Sequence, residues 1–250
     1  MNANIVGIIV FTSTFGAAML ATRLHTLLPK HYFDNESRDT VKVGIGLIAT
    51  MTALVLGLVT ASAKSSFDNV NTAVKAFATQ ILALDRTLAR YGSETGGIRK
   101  DLQRMIGARI EMIWPQDSSK PTSLDPLSGG EEIARAVRNL KPADDSQRAL
   151  QARALDLAET LLQSRWIVTT SIGASVPLPF LVVLLFWLTI TFASFGLFAP
   201  RNAMVVGVLF VCALSVASAL FLVLEMDGPF EGLLKVSAEP LRSAYARLNQ

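Results

Sequence analysis

Cysteine occurs once, histidine twice and charge sparingly in this chain of 250 residues. A single cysteine excludes an intrachain disulfide framework, and Cys212 sits in an apolar run where a thiol reads as a small buried packing residue. His25 and His31 share one connector with no metal-ligand spacing around them, so they read as interfacial polar side chains. No Ser/His/carboxylate or Cys/His arrangement offers itself, which leaves nucleophilic catalysis few players. The chain is expected not to be an enzyme and to need no metal or other cofactor. Charged residues make up 17% of the chain, against about 25% in soluble domains. The net charge of +3 is scattered, without the basic block that binding nucleic acid requires. Strand-type alternation never extends beyond a few residues, so every element is expected to be helical.

Uncharged apolar runs are what the chain has instead. Residues 43–63 carry no charge over about the 20 positions needed to cross a hydrocarbon layer of roughly 30 Å. No proline follows. A heptad begins directly, with Phe67, Val70, Val74, Phe77, Ile81, Leu84, Leu88 and Tyr91 at alternating steps of three and four. The 42–91 stretch is therefore expected to be one helix, entering water after its apolar half and stopping at Gly92. Other spans are expected at 5–22, 179–198 and 203–224, the first retained because no Lys or Arg precedes it. Pro177 and Pro179 divide the long apolar stretch before the third span, so 166–176 reads as an interfacial or re-entrant piece, with Trp166 and Trp187 as interface anchors. Between 23 and 40 the chain reads as a polar connector, with Pro29 as breaker and Asp39-Thr40 as the cap of the second span.

The segment after Gly92 reads as a helical bundle. Helices are expected at 98–114, at 131–140 and from about 146 to 165, and a Pro-, Ser- and Gly-rich loop separates the first two. Asp68, Asp85 and Asp156 are expected on solvated helix faces. The tail from 228, with Leu233, Leu234, Lys235, Val236 and Leu241, reads as a short helix lying against either the membrane or the bundle. The fold class is thus an all-α membrane protein with four transmembrane helices and a cytoplasmic helical bundle between spans 2 and 3. Its parts are 1–63 with spans 1 and 2, the 64–165 bundle, 166–227 with spans 3 and 4, and the 228–250 tail. Four spans put both termini and the bundle on one side. Lys and Arg near the span ends are almost balanced between the two sides, and the missing signal peptide favours the cytoplasm of a bacterial inner membrane.

Two short patterns carry little. Leu127-Ser128-Gly129-Gly130-Glu131 looks like the signature loop of ATP-binding-cassette proteins, but no glycine-rich phosphate loop accompanies it. Asn35-Glu36-Ser37 fits a glycosylation acceptor that a bacterial cell leaves unread. The second span says more. Gly46 lies among small residues, and Ala53, Gly57 and Ala61 form a small-xxx-small stripe, as expected where helices approach closely in lipid. The plain reading is helix packing, within one subunit or between subunits; the sharper reading, compatible with it, is that copies of this helix surround an axis and line a pore.

Four stretches then carry a likeness: ALVLGLVTASAKSSFD, ILALDRTLARYG, FASFGLFAPRNA and FLVLEMDGPFEGLLKVSAEPLR. In order and spacing they resemble the bacterial bestrophin-like domain family and, through Val55-Leu56-Gly57 and the shared layout, the bestrophin anion channels. The resemblance implies a homo-oligomer, a pentamer in bestrophins, conducting small inorganic ions through a pore lined by the second span. It places the apolar constriction at Thr50, Leu54 and Leu58. The neck aromatics, the early proline and an acidic calcium-clasp run are not found here. Lys42 and Lys64 at the helix ends would favour anions, and Asp39 and Asp68, one turn from each, would cancel them. The reading is a bestrophin-like anion channel whose partners are lipid, small ions and copies of itself. A second reading is a non-conducting scaffold or sensor whose heptad binds a partner.

Overall fold

The structure, a computed structural model, describes residues 2–24, 35–115, 129–170, 178–200, 202–230 and 232–248, with backbone alone at 35–38 and 164–170. His25, His31, Leu127, Ser128 and the Trp166 side chain lie outside the described residues. Among those described there are eight α-helices and no strand: α1 (Ala3–Leu24), α2 (Asn35–Tyr91), α3 (Gly96–Ile113), α4 (Gly130–Arg138), α5 (Asp145–Thr170), α6 (Leu178–Phe198), α7 (Ala203–Asp227) and α8 (Glu239–Arg247). The protein is an all-α membrane protein. Helices α1, α2, α6 and α7 are long and apolar enough to cross a membrane. The chain divides into two compact units, 1–66 with 174–228 and 67–173 with 229–250.

Helix α2 starts earlier than its apolar run. Residues 35–42 are polar apart from Val41 but hold no proline or glycine, and the i,i+3 pair of Lys42 Nζ with Asp39 Oδ1 at 2.9 Å lies inside the helix. Asp39-Thr40 is therefore helix interior, not a cap. At the other end Gly92 breaks the helix at φ 142°, a conformation open to glycine because it has no Cβ. Helix α5 likewise continues to Thr170, so 166–170 extends a helix of the second unit, and 171–176 lies outside the described residues.

The first unit must hold its spans together in a solvent as apolar as leucine, so packing and hydrogen bonds carry the association. At Gly196 of α6 the backbone of α1 comes so close that a Cβ would overlap the Ala18 carbonyl oxygen and lie 2.8 and 2.9 Å from its C and Cα. Thr22 Oγ1 donates across the same contact to the Gly196 carbonyl at 3.0 Å, and also to Ala18 O of its own helix at 2.8 Å. Further along, Gly7 of α1 meets Phe221 of α7, and Phe11 and Phe15 stand edge-on to Phe210 with centroids 5.4 and 5.5 Å apart. Cys212 is exposed, a correction to its reading as a buried thiol. The buried stripe of α7 runs through Leu209, Ala213, Ala217 and Leu220, one step off its position.

The second unit has an ordinary hydrophobic core. Val70, Val74, Phe77, Ile81, Leu84 and Leu88 of α2 are buried with Leu102, Ile106 and Ile110 of α3, Ile133 and Val137 of α4, and Leu157 and Leu161 of α5. Phe67 packs against the same core, and Tyr91 closes its end. Each fully buried Leu or Ile is worth about 1.5–3 kcal/mol when taken out of water. The tail divides: Val236, Leu241, Ala244 and Leu248 join this core, and the Tyr245 ring covers Gly107 of α3, whereas Leu233 and Leu234 stay exposed.

Candidate functional site: the open face of α2

Within the first unit α2 buries a narrow stripe. Thr52, Val59 and Ala63 are buried, the last two in one cluster with Val10, Leu184, Leu188 and Leu220. At about 100° per residue, Thr50, Leu54 and Leu58 fall on the opposite side of the helix. Leu54 is 71% and Leu58 62% exposed, and Thr50 is exposed with them. The structure thus gathers the three on one uninterrupted stripe that nothing among the described residues covers. Val43, Leu47 and Met51 extend the same open face toward the helix start.

The chemistry of that stripe is apolar. Thr50 Oγ1 donates to the Leu47 carbonyl of its own helix at 2.8 Å, so its one proton is engaged and the hydroxyl offers only lone pairs outward. Thr52 and Thr60 do the same toward Ile48 and Leu56, each at 2.7 Å. A ring built from such stripes would present leucine methyls and no donor to a passing ion, the kind of surface that closes a pore by dewetting.

Beside this stripe lie the small residues. Gly46, Ala53, Gly57 and Ala61 are exposed, and a Cβ placed at Gly46 or Gly57 would meet nothing within 4 Å. Within the protomer these positions do not make the close helix contacts; Gly7 and Gly196 do. Lys42 and Lys64 are exposed at the two ends. Lys42 is tied to Asp39, which leaves that end close to neutral.

A family model of the bestrophin-like domain matches residues 12–241 of the chain. The chain belongs to the bestrophin-like domain family. In fold, this family member is similar to a bacterial bestrophin homologue from Klebsiella pneumoniae, crystallised as a point mutant. The TM-score is 0.66 at 15% identity, over 98% of this chain and 99% of that one. Among curated proteins none matches by sequence.

The second unit of this bestrophin-like chain holds polar features that patterns along the sequence do not show. Asp85 is fully buried, not solvated, and it accepts from Arg99 Nε at 2.7 Å and from Arg99 Nη2 at 3.0 Å. The fork ties the end of α2 to the start of α3. Its hydrogen bond to Asp85 holds the Arg99 guanidinium above its already high value, against the opposing effect of burial. Ten residues past Asp85, Thr95 Oγ1 donates to the Leu88 and Gly92 carbonyls at 2.6 and 2.9 Å, closing the last turn of α2. The Tyr91 hydroxyl is buried with no partner among the described residues. Burial first, then the charges of Glu94 and Asp144, push its pKa above 10.0. The only sequence signal for Asp85 is its place directly beside Leu84, and its partner lies fourteen residues away on another helix.

The heptad seam is no open docking strip. Its residues from Val70 to Leu88 are consumed by the core of their own unit.

Proposed function

We propose that this chain is a bestrophin-like ion channel of the bacterial inner membrane, assembled as a homo-oligomer around α2. The open stripe of Thr50, Leu54 and Leu58, opposite the face that α2 buries, is the observation that supports this reading in a chain of this family. In the proposed assembly Leu54 and Leu58 form rings that constrict the path and Thr50 continues them. Gly46, Ala53, Gly57 and Ala61 let neighbouring copies approach closely. The second unit and both termini face the cytoplasm. Anions are the favoured cargo, with Lys64 at the cytoplasmic mouth and Lys42 a weak contributor because of Asp39. The protein acts as a conduit and not as an enzyme. Occupation of the heptad seam within the protomer weighs against the scaffold reading, which needs that seam for a partner.

The test is chloride flux in liposomes, on particles whose mass has been measured in detergent. A symmetric oligomer that conducts is expected, with the Leu54→Ala/Leu58→Ala variant conducting severalfold more because its constriction is wider and wetter. Unchanged currents in a conducting oligomer would overturn the constriction. A monomeric particle without flux would overturn the channel.

A further inference from the structure

Almost every large apolar side chain described in the second unit is buried or half-buried. Among the described residues the exposed ones are Leu233, Leu234 and Tyr245. Tyr245 is accounted for, because its ring lies over Gly107 and its hydroxyl suits water. Leu233 is not. At 81% exposure it exceeds every other exposed large apolar residue described, including those on the spans, and Leu234 beside it is 39% exposed.

These leucines are held out by construction. The Val236 amide donates to the Pro229 carbonyl at 2.8 Å and closes the loop at its base. Trp114 Nε1 donates to the Val236 carbonyl at 2.9 Å, and the Phe230 ring stands edge-on to Trp114 with centroids 5.5 Å apart. Gly232 turns the chain at φ 77°. Phe230 and Val236 therefore point into the core, and the segment between them presents Leu233, Leu234 and exposed Lys235 to the outside. A loop pinned at both ends cannot fold its two leucines inward without breaking those contacts.

Its place along the chain identifies the occupant. Pro229 is two residues beyond Asp227, the last residue of α7, and Leu233 is six beyond it. A fully extended chain advances about 3.3–3.6 Å per residue, so Leu233 lies within roughly 20 Å of the end of a membrane span by any path. The headgroup layer itself adds about 5–8 Å on each side of the hydrocarbon. An exposed leucine pair so tethered matches the lipid–water boundary, where apolar side chains enter the acyl edge and the adjacent lysine keeps its ammonium among headgroups and water. We propose that the loop tip inserts the side chains of Leu233 and Leu234 into the lipid surface, with Lys235 at the headgroup level. This rests on α7 being a span and is independent of conduction.

The experiment uses the full chain in liposomes of phosphatidylcholine with a minority of phosphatidylglycerol. An environment-sensitive fluorophore is placed on Cys212, on Leu233→Cys or on Asp145→Cys, the last two in a Cys212→Ser background. Cys212 controls for the span, and exposed Asp145 controls for water. The expected result is blue-shifted emission at Leu233, severalfold stronger quenching by lipids bearing a nitroxide near the headgroup than at Asp145, and protection from iodide. With the probe at Leu233, Leu234→Ser should abolish most of that lipid quenching. Emission and iodide quenching at Leu233 equal to those at Asp145, while the Cys212 probe is quenched by lipid, would overturn the proposal and leave the span intact. A blue shift without lipid quenching, accompanied by cross-linking between copies at Leu233→Cys, would overturn it in favour of a protein contact.

Discussion

Replacing Gly196 with alanine adds one methyl group at the point where α6 and α1 come closest. The new Cβ would overlap the Ala18 carbonyl oxygen and stand 2.8 Å from its carbonyl carbon, whereas an ordinary contact begins near 3.4 Å. These are backbone atoms of another helix, so no rotamer change relieves the clash; α1 and α6 must part by at least about 0.6 Å, the difference between those two distances. Overpacking of this kind costs about 1–3 kcal/mol. The Thr22 hydroxyl bond to Gly196 O is stretched with it, a further loss of about 0.6 kcal/mol on the scale of interhelical bonds in membranes. The total, about 2–4 kcal/mol, corresponds to a fall of roughly 5–15 °C in the melting temperature of a chain this size. Tryptophan fluorescence during heating in detergent measures it. Gly16→Ala and Gly207→Ala are the internal controls, since a Cβ at either meets nothing within 4 Å. Both should melt at or slightly above the parent temperature, because alanine suits a helix better than glycine. If Gly196→Ala melts within a degree or so of these controls, the argument from close approach is wrong.

Two further outcomes follow from the second unit. Arg99→Leu leaves Asp85 buried without its partner and should destabilise by about 3–5 kcal/mol in thermal or urea unfolding, whereas Asp85→Leu combined with Arg99→Leu should recover much of that loss. The Tyr91 hydroxyl keeps its proton to higher pH in the folded protein than in the unfolded chain, so its support for folding is complete below about pH 10 and is lost as pH rises through the folded value. Tyr91→Phe should therefore show a shallower alkaline decline in melting temperature than the parent and be no less stable at neutral pH, since no unpartnered hydroxyl remains buried.

The spans were legible because crossing lipid is a matter of length and missing charge, and both are written along the chain. The seam from Val70 to Leu88 was legible for a similar reason, since a period of three and four places residues on one face whatever they pack against. The start of α2 was not, because residues 35–40 are polar and only the lack of a breaker marks them as helix. Asp85 was misplaced on a solvated face because polarity was read as exposure; its burial depends on Arg99, a partner fixed only when α3 folds back. Cys212 was misplaced by the opposite error, apolar surroundings in sequence being read as burial in a unit whose outside is itself apolar. The stripe of Thr50, Leu54 and Leu58 came from family likeness, and the structure adds that it is exposed among the described residues. Gly196 escaped notice because the close neighbour that requires a glycine there, Ala18, belongs to the first helix.

That same exposed cysteine makes the chain a natural single-label protein. Each copy carries one thiol on the outer surface of α7, and no cysteine needs to be introduced or removed. A nitroxide on it would turn the proposed ring of copies into a regular polygon of spins, whose set of inter-spin distances depends on the number of copies alone, up to a scale. In a closed ring the longer separation exceeds the shorter by about 1.4-fold for four copies and about 1.6-fold for five, and three copies give a single distance. Dipolar spectroscopy on the unmutated protein would then count subunits within the bilayer, with no contribution from bound detergent.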